Sequence, residues 1–167
     1  MSYIKNLEMK IKSLNGIWFY SLSESGKTTS SIYLKKKIFK NGLVLDGDQI
    51  RKHISIDLGF SKKDRIKQLQ RILGLCKICL NSKIFPICST VYMNNKTKKL
   101  LNKLKIITIT IDRDFAKIKK NKTYKQKKNV VGIDLHYEKS IEHFTIKNTT
   151  KKNLFKNLEN FFSKLWY

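Results

Sequence analysis

The chain has 167 residues, of which 41% are hydrophobic, so it is long and apolar enough to bury a core, and disorder is not indicated. Its formal net charge is +24, with 36 Lys and Arg against 12 Asp and Glu. The excess is nearly all Lys and is spread along the whole chain. We therefore interpret it as a solvated surface that attracts nucleic acid only non-specifically. The charge alone leaves a dedicated nucleic-acid-binding module open as the alternative.

No stretch resembles a signal peptide or a membrane span, which predicts a cytoplasmic protein without a membrane partner. The three cysteines Cys76, Cys79 and Cys88 fit a reducing compartment and are predicted to be buried thiols. Because no linker or repeat divides the chain, residues 1–167 are predicted to form a single domain.

Strands and helices alternate along the sequence, which predicts an α/β fold with a parallel sheet covered by helices on both faces. The first half is predicted to contain strands at 17–20 and 43–45 and a helix at 28–39. A short helix is predicted to follow Asp46-Gly47-Asp48 and to run through about residue 56, and a further helix is predicted to be capped by Ser61. Strands at 85–91, 106–111 and 144–146, a helix at 96–104, and a final helix capped by Thr149 or Thr150 follow. Ile32, Leu34 and Ile38 are expected to face the sheet. Residues 117–128 are dense in Lys and are expected to be a mobile segment outside the core.

The stretch Ile17–Thr29 has the pattern of a phosphate loop, in which an apolar strand leads through small polar residues into Gly-Lys-Thr at a helix start. It fits G-x-x-x-x-G-K-[ST] except at the first glycine. We expect Lys27 to reach the β- and γ-phosphates of ATP and the Thr28 hydroxyl to ligate Mg²⁺. The predicted loop comprises Ser21, Leu22, Ser23, Glu24, Ser25, Gly26, Lys27, Thr28 and Thr29. Glu24 is expected to point outward, and a phosphate-binding protein without catalysis stays an alternative if Ser21 and Glu24 weaken the loop.

Two further stretches carry chemistry. Asp46 and Asp48 follow a buried strand, where carboxylates at the carboxyl edge of a sheet can accept a proton from a hydroxyl or serve Mg²⁺. Arg51 stands one turn further on and can bind a second anion. In Asp57–Arg65, Phe60 offers a surface for stacking a base beside the cation of Arg65.

In this order, and followed by Gly132-Ile133-Asp134 and Tyr137-Glu138, these stretches resemble the adenylylsulfate kinase family from about Gly16 to Glu138. The resemblance implies a P-loop kinase, a three-layer sandwich that transfers the γ-phosphate of ATP, with Mg²⁺, to a ribose 3′-hydroxyl. The acceptor would be a nucleotide with an anionic 5′ group. A homodimer and a mobile lid are also implied.

The resemblance also assigns roles to individual residues. It makes Lys27, Asp46 and Asp48 catalytic, and it gives Thr28 and Asp48 to the metal. The predicted acceptor-binding residues are Asp48, Arg51, Phe60, Arg65, Gln68, Val91, Tyr92, Lys122 and Val130.

Most departures from the family pattern fall in the acceptor half. Gln68 and Gln70 replace an Asn and an Arg, the segment 90–93 lacks the family's serine, and Val130 replaces a Phe that stacks on adenine. The segment between Asp112 and Asn129 is shorter than the family's lid. These changes favour an acceptor without adenine, since a pyrimidine needs less stacking area and the amides of Gln68 and Gln70 could hydrogen-bond a cytosine edge. The chain is then similar to the cytidine diphosphoramidate kinase relative of this family, which serves capsule polysaccharide biosynthesis, so cytidine diphosphoramidate is the favoured acceptor. The alternative acceptor is adenylylsulfate itself.

Overall fold

The computed structural model describes residues 14–126, 128–137 and 144–166. The strands are β1 (Gly16–Tyr20), β2 (Gly42–Asp46), β3 (Phe85–Thr90), β4 (Ile106–Asp112) and β5 (Phe144–Lys147). The helices are α1 (Lys27–Lys37), α2 (Gly47–His53), α3 (Lys62–Asn81), α4 (Asn95–Lys103), α5 (Phe115–Ile118), α6 (Lys122–Gln126) and α7 (Lys151–Trp166).

The described strands form one parallel sheet in the order β2-β3-β1-β4-β5. Strand β1 lies at its centre, with Ile17 paired to Ile87 on one side and to Ile107 on the other. All five residues of β1 are buried, as expected for a central strand that is covered on both faces. The predicted α/β fold with a parallel sheet is confirmed.

Alternate residues of β1 build two cores on opposite faces of the sheet, because successive side chains of a strand point in opposite directions. Trp18 and Tyr20 pack with α3 and α4 on one face, while Ile17 and Phe19 pack with α1 and α7 on the other. Helices therefore cover both faces, which gives the predicted three layers.

Polar side chains fix where several helices begin. The carboxylate of Asp46 accepts hydrogen bonds at the start of α2, and the Ser61 hydroxyl accepts one from the Asp64 amide at the start of α3. Thr150 accepts a hydrogen bond from the Asn153 amide, so the final helix is capped by the second of the two predicted threonines.

Several predictions at the level of single residues were wrong. Ile32 does not face the sheet and is 44% exposed, whereas Leu34 of the same helix is fully buried. Helix α2 ends at His53 instead of near residue 56. The segment 117–128 is not wholly outside the core, since Ile118 and Tyr124 are buried on short helices.

The three cysteines are free and buried, as predicted. In the ranges that the structure describes, no helix is long and apolar enough to cross a membrane. That residues 1–167 form one domain stays a prediction, since residues 1–13 lie outside these ranges.

The indole N–H of Trp18 is fully buried and donates a hydrogen bond of 2.7 Å to the hydroxyl of Thr90. We expect Thr90→Val to leave this donor unsatisfied and to lower the free energy of unfolding by about 1–3 kcal/mol. Urea denaturation measures the change. Thr149→Val, at an exposed position, is the matched control and should stay within about 0.5 kcal/mol of the parent. Equal effects of the two substitutions would contradict this role of the bond.

Candidate active site

A cavity of about 320 Å³ lies at the carboxyl ends of the parallel strands, where ligands bind in open α/β sheets. The predicted site residues that line it are Ser23, Glu24, Gly26, Lys27, Thr28, Thr29, Asp46, Asp48, Arg51, Phe60, Arg65, Gln68, Val91, Tyr92 and Val130. The fold thus brings together residues that are more than 100 positions apart in the sequence.

Four consecutive carbonyl groups of the predicted phosphate loop accept hydrogen bonds from side chains. Lys27 donates to Leu22 at 2.7 Å, Tyr124 to Ser23 at 2.9 Å, Arg113 to Glu24 at 2.8 Å, and Asn148 to Ser25 at 2.6 Å. We call these the four loop braces. These hydrogen bonds fix the orientation of the peptide groups of the loop. Amides of the loop can then face an anion at the start of α1.

The two ends of the loop are also fixed. The Ser21 hydroxyl, where the motif has its first glycine, is buried and accepts a hydrogen bond of 2.6 Å from the Ile111 amide. Gly26 has a φ of 108°, a backbone conformation that favours glycine, and a Cβ there would lie 2.7 Å from the Asn148 amide nitrogen. Ser21 is therefore built into the sheet and does not block the loop.

The carboxylate of Asp46 joins three parts of the site. One oxygen accepts hydrogen bonds of 2.6 Å from each of the Thr28 and Ser89 hydroxyls, and the other accepts from the amides of Asp48 and Gln49. Burial by itself raises the pKa of Asp46, but these hydrogen bonds, led by Ser89 and then Thr28, outweigh it and lower the pKa below its ordinary value. Asp46 is thus held ionised and fully occupied by its partners.

Lys27 is a buried cation. Burial lowers the pKa of its ammonium from 10.5 to about 8, although the negative charges of Asp48, Asp46 and Glu24 act in the opposite direction. Its ammonium donates to the Leu22 carbonyl in this state. A bound phosphate would offer it a stronger, charged acceptor.

The acceptor side of the cavity is built around Phe60, which is 42% exposed. The guanidinium carbons of Arg51 and Arg65 lie 4.7 and 5.7 Å from the centre of its ring. Arg51 donates to the carbonyls of Leu58 and Gly59, which fixes its position. Burial, and then the nearby charge of Arg51, lower the pKa of Arg65, so this side of the cavity is electropositive.

Gln68 and Val130 also line the cavity, but both are nearly buried. The amide nitrogen of Gln68 donates to the Gly47 carbonyl, and its oxygen has no hydrogen-bond partner among the described residues. Val130 packs with Ile118, Tyr124 and Leu22. Gln70 was expected to offer an amide to the acceptor, but it is exposed and does not line the cavity.

Other predicted positions also differ from the expectation. Lys122 is exposed on α6 and does not line the cavity. Leu22 and Ser25 contribute their carbonyls to the four loop braces without lining the cavity. Glu24 is exposed but lines the cavity, so its outward direction stays a prediction. Glu138 lies outside the described residues.

Sequence reasoning missed several cavity residues. They are Gly47, Leu69, Ser89, Thr90, Arg113, Thr123, Lys128 and Val131. Ser89 and Arg113 follow from the same rule that identified Asp46, because they lie at or just beyond the carboxyl ends of β3 and β4. Asn148, which braces the loop, belongs to no motif. Tyr124 lies in the segment 122–125, which resembles part of the family's lid, but it was given no role in the site.

The parallel sheet with a phosphate loop after its central strand defines a P-loop kinase fold. Solved structures agree. The APS kinase of Mycobacterium tuberculosis, in complex with AMPPNP and APS, superposes with a TM-score of 0.77 at 18% identity, over 92% of this chain and 98% of that one. The shikimate kinase of Acinetobacter baumannii does so with a TM-score of 0.60 at 16% identity, over 93% and 97%. At these identities the likeness concerns the fold alone.

The chain belongs to the adenylylsulphate kinase family, whose model matches residues 14–143. The adenylyl-sulfate kinase of Clostridium acetobutylicum is 32% identical over 168 residues, which covers 89% of this chain and 84% of that protein. That of Bacteroides thetaiotaomicron is 41% identical over 87 residues, but the match spans only 50% of this chain and 43% of the relative.

Lys27→Met tests the burial of this charge in the ligand-free protein. With a pKa of about 8 in the folded state and 10.5 in the unfolded state, Lys27 destabilises the fold below pH 8, and this cost disappears as the pH rises towards 10.5. We expect the variant to be more stable than the parent by about 2 kcal/mol at pH 7, with the difference shrinking between pH 8 and 10.

Denaturant unfolding across this pH range measures the difference. Lys117→Met removes an exposed lysine of α5 and should show no such trend. A difference between parent and Lys27→Met that is independent of pH would show that the buried charge is not its cause.

Proposed function

We propose that this protein is an ATP-dependent kinase that phosphorylates the ribose 3′-hydroxyl of adenylylsulfate. The observation that carries the proposal is the position of Asp48. Asp48 lines one cavity with Lys27 of the phosphate loop and with Arg51 and Arg65 of the acceptor side, and its negative charge acts to raise the pKa of all three cations. Asp48 therefore stands between a site for the phosphates of ATP and a site for a second anion with a base.

The residues of the loop suit magnesium. The Thr28 hydroxyl and the Asp48 carboxylate are the oxygen ligands that Mg²⁺ prefers, and Asp46 fixes the Thr28 side chain. No group of three or more His, Cys, Asp and Glu that could hold a metal occurs among the described residues. This fits an ion that takes most of its ligands from phosphate and water. When bound, the ion would neutralise charge on the β- and γ-phosphates.

In the proposed reaction, the 3′-oxygen of the acceptor bonds to the γ-phosphorus while the bond from that phosphorus to the oxygen bridging to the β-phosphate breaks, so ADP leaves. Lys27 would bind the phosphate oxygens, and the proton of the 3′-hydroxyl would pass to a carboxylate. Asp48 suits that role better than Asp46. Both oxygens of Asp46 accept hydrogen bonds already, whereas the exposed carboxylate of Asp48 has no hydrogen-bond partner among the described residues.

Adenylylsulfate is the acceptor that the comparisons favour, since the relatives matched over most of their own length bear the name adenylyl-sulfate kinase. The sequence favours cytidine diphosphoramidate as the acceptor, but fewer observations support it than support adenylylsulfate. This hypothesis depends on Val130, which leaves Phe60 and Tyr92 as the aromatic side chains that line the cavity. The cytosine contacts expected from the amides are also reduced, because Gln70 lies outside the cavity and the Gln68 nitrogen already donates to Gly47. Cytidine diphosphoramidate is kept as the second candidate.

The assembly of this protein is also a matter of proposal. The family resemblance implies a homodimer, but one structural neighbour, with a TM-score of 0.63 at 19% identity, is a hexameric APS kinase from Thiobacillus denitrificans, of which this chain covers 29%. Sedimentation would decide between the two states.

Asp48→Asn keeps the shape of the side chain and an oxygen that can still ligate Mg²⁺, but it removes the ability to take a proton. We expect kcat to fall by about two to four orders of magnitude, with KM for ATP changed far less and the fold intact. Asp46→Asn should instead raise KM for ATP and lower stability, because it disturbs Thr28 and the start of α2. Steady-state kinetics and thermal denaturation of both variants measure this. A fall in kcat of less than tenfold in Asp48→Asn would show that Asp48 is not the base.

A competition experiment identifies the preferred acceptor. With equal concentrations of adenylylsulfate and cytidine diphosphoramidate, we expect phosphorus NMR to show the 3′-phosphate mainly on adenylylsulfate. The ratio of kcat/KM should be about 10–200 if shape alone discriminates and larger if a buried amide is left unpaired. Preferential phosphorylation of the cytidine nucleotide would overturn the main proposal and support the second candidate.

A further inference from the structure

Glu24 has a backbone conformation that is unusual for its residue type. Its φ is 64°, in the left-handed region where a side chain costs energy and glycine does not. It lies in the middle of the phosphate loop, two residues before Gly26, whose φ is also positive. Most residues other than glycine, asparagine and aspartate keep this conformation only where their surroundings impose it.

Arg113 is in a position to impose it. Its guanidinium donates a hydrogen bond of 2.8 Å to the Glu24 carbonyl, from the segment that directly follows β4. Tyr124 holds the Ser23 carbonyl, in the peptide group before Glu24, and Asn148 holds the Ser25 carbonyl, one peptide group beyond the one that Arg113 contacts. The side chain of Arg113 is exposed and also lines the cavity.

We propose that Arg113 is a positioning residue that holds Glu24 in the left-handed conformation and so keeps the phosphate loop in the shape that binds ATP. The part of this inference that concerns ATP rests on the proposed function. The loop amides can converge on a phosphate only if each peptide group of the loop keeps its orientation. The charged donor on the Glu24 carbonyl holds this residue in the left-handed conformation. A glycine at position 24 would adopt that conformation without such a bond.

Two other roles for Arg113 make different predictions. The guanidinium could offset the carboxylate of Glu24, in which case removing that charge would make Arg113 dispensable. It could also contact a phosphate directly, in which case the residue at position 24 would not matter. Substitutions at Glu24 separate these roles from the proposed one.

The test is a set of double-mutant cycles on the full chain, with the Kd for Mg·ATP measured by calorimetry. Arg113→Met should weaken binding about tenfold, which corresponds to about 1.4 kcal/mol. In the background of Glu24→Gly the same substitution should change the Kd less than twofold, since glycine adopts the conformation unaided. In the background of Glu24→Gln, which removes the charge but keeps a side chain, the tenfold effect should persist.

Arg113→Lys retains a charged donor and should recover part of the loss, while Lys117→Met on the exposed face of α5 controls for the lost surface charge. A tenfold effect of Arg113→Met in all three backgrounds would overturn the proposal in favour of direct phosphate contact. Loss of the effect in Glu24→Gln would overturn it in favour of charge compensation.

A second measurement does not depend on ATP. In the isotope-labelled, ligand-free protein, the one-bond Cα–Hα coupling of Glu24 reports the sign of φ. We expect the positive-φ value in the parent and its loss in Arg113→Met, and an unchanged coupling would overturn the proposal. If the parent fails to bind Mg·ATP, the proposed function is wrong, and the coupling still decides what Arg113 does to the loop.

Discussion

The site depends above all on the hydrogen bonds to one carboxylate. Asp46 binds the hydroxyl of Thr28 at the start of α1 and the hydroxyl of Ser89 at the end of β3, and it caps α2 through the amides of Asp48 and Gln49. The ends of two neighbouring strands and the starts of two helices are thereby tied to one buried group. The orientation of the Thr28 hydroxyl and the position of Asp48, the proposed base, are consequences of the same set of bonds.

The second constraint is electrostatic. Three cations, Lys27, Arg51 and Arg65, line the same cavity as Asp48, and burial lowers the pKa of each of the three. Positive charge is therefore poorly solvated in this cavity. An anionic ligand would relieve this cost on binding, so the unfavourable burial of charge would contribute to the affinity for anions.

The fold was predictable because it follows from local signals, namely the apolar strand before Gly26 and the alternation of strands and helices. The phosphate loop and Asp46 were predictable for the same reason, since strand, loop and helix adjoin in the sequence. The contacts that shape the loop were not. Arg113, Tyr124 and Asn148 reach it from three segments far along the chain, and helices of four or five residues are too short to show the periodicity that marks a buried side chain such as Tyr124.

The position of β1 at the centre of the sheet has a consequence for the order in which the protein is assembled. This strand is synthesised before its neighbours, yet Ile17 must wait for Ile87 and Ile107 before it has a partner on either side. The last of the four loop braces comes later still, from Asn148. Residues so far apart in the sequence pair slowly, because the chain between them must first lose the entropy of closing a loop. A nascent chain thus carries the whole phosphate-loop motif before the neighbouring strands and the Asn148 brace that shape the loop have been synthesised.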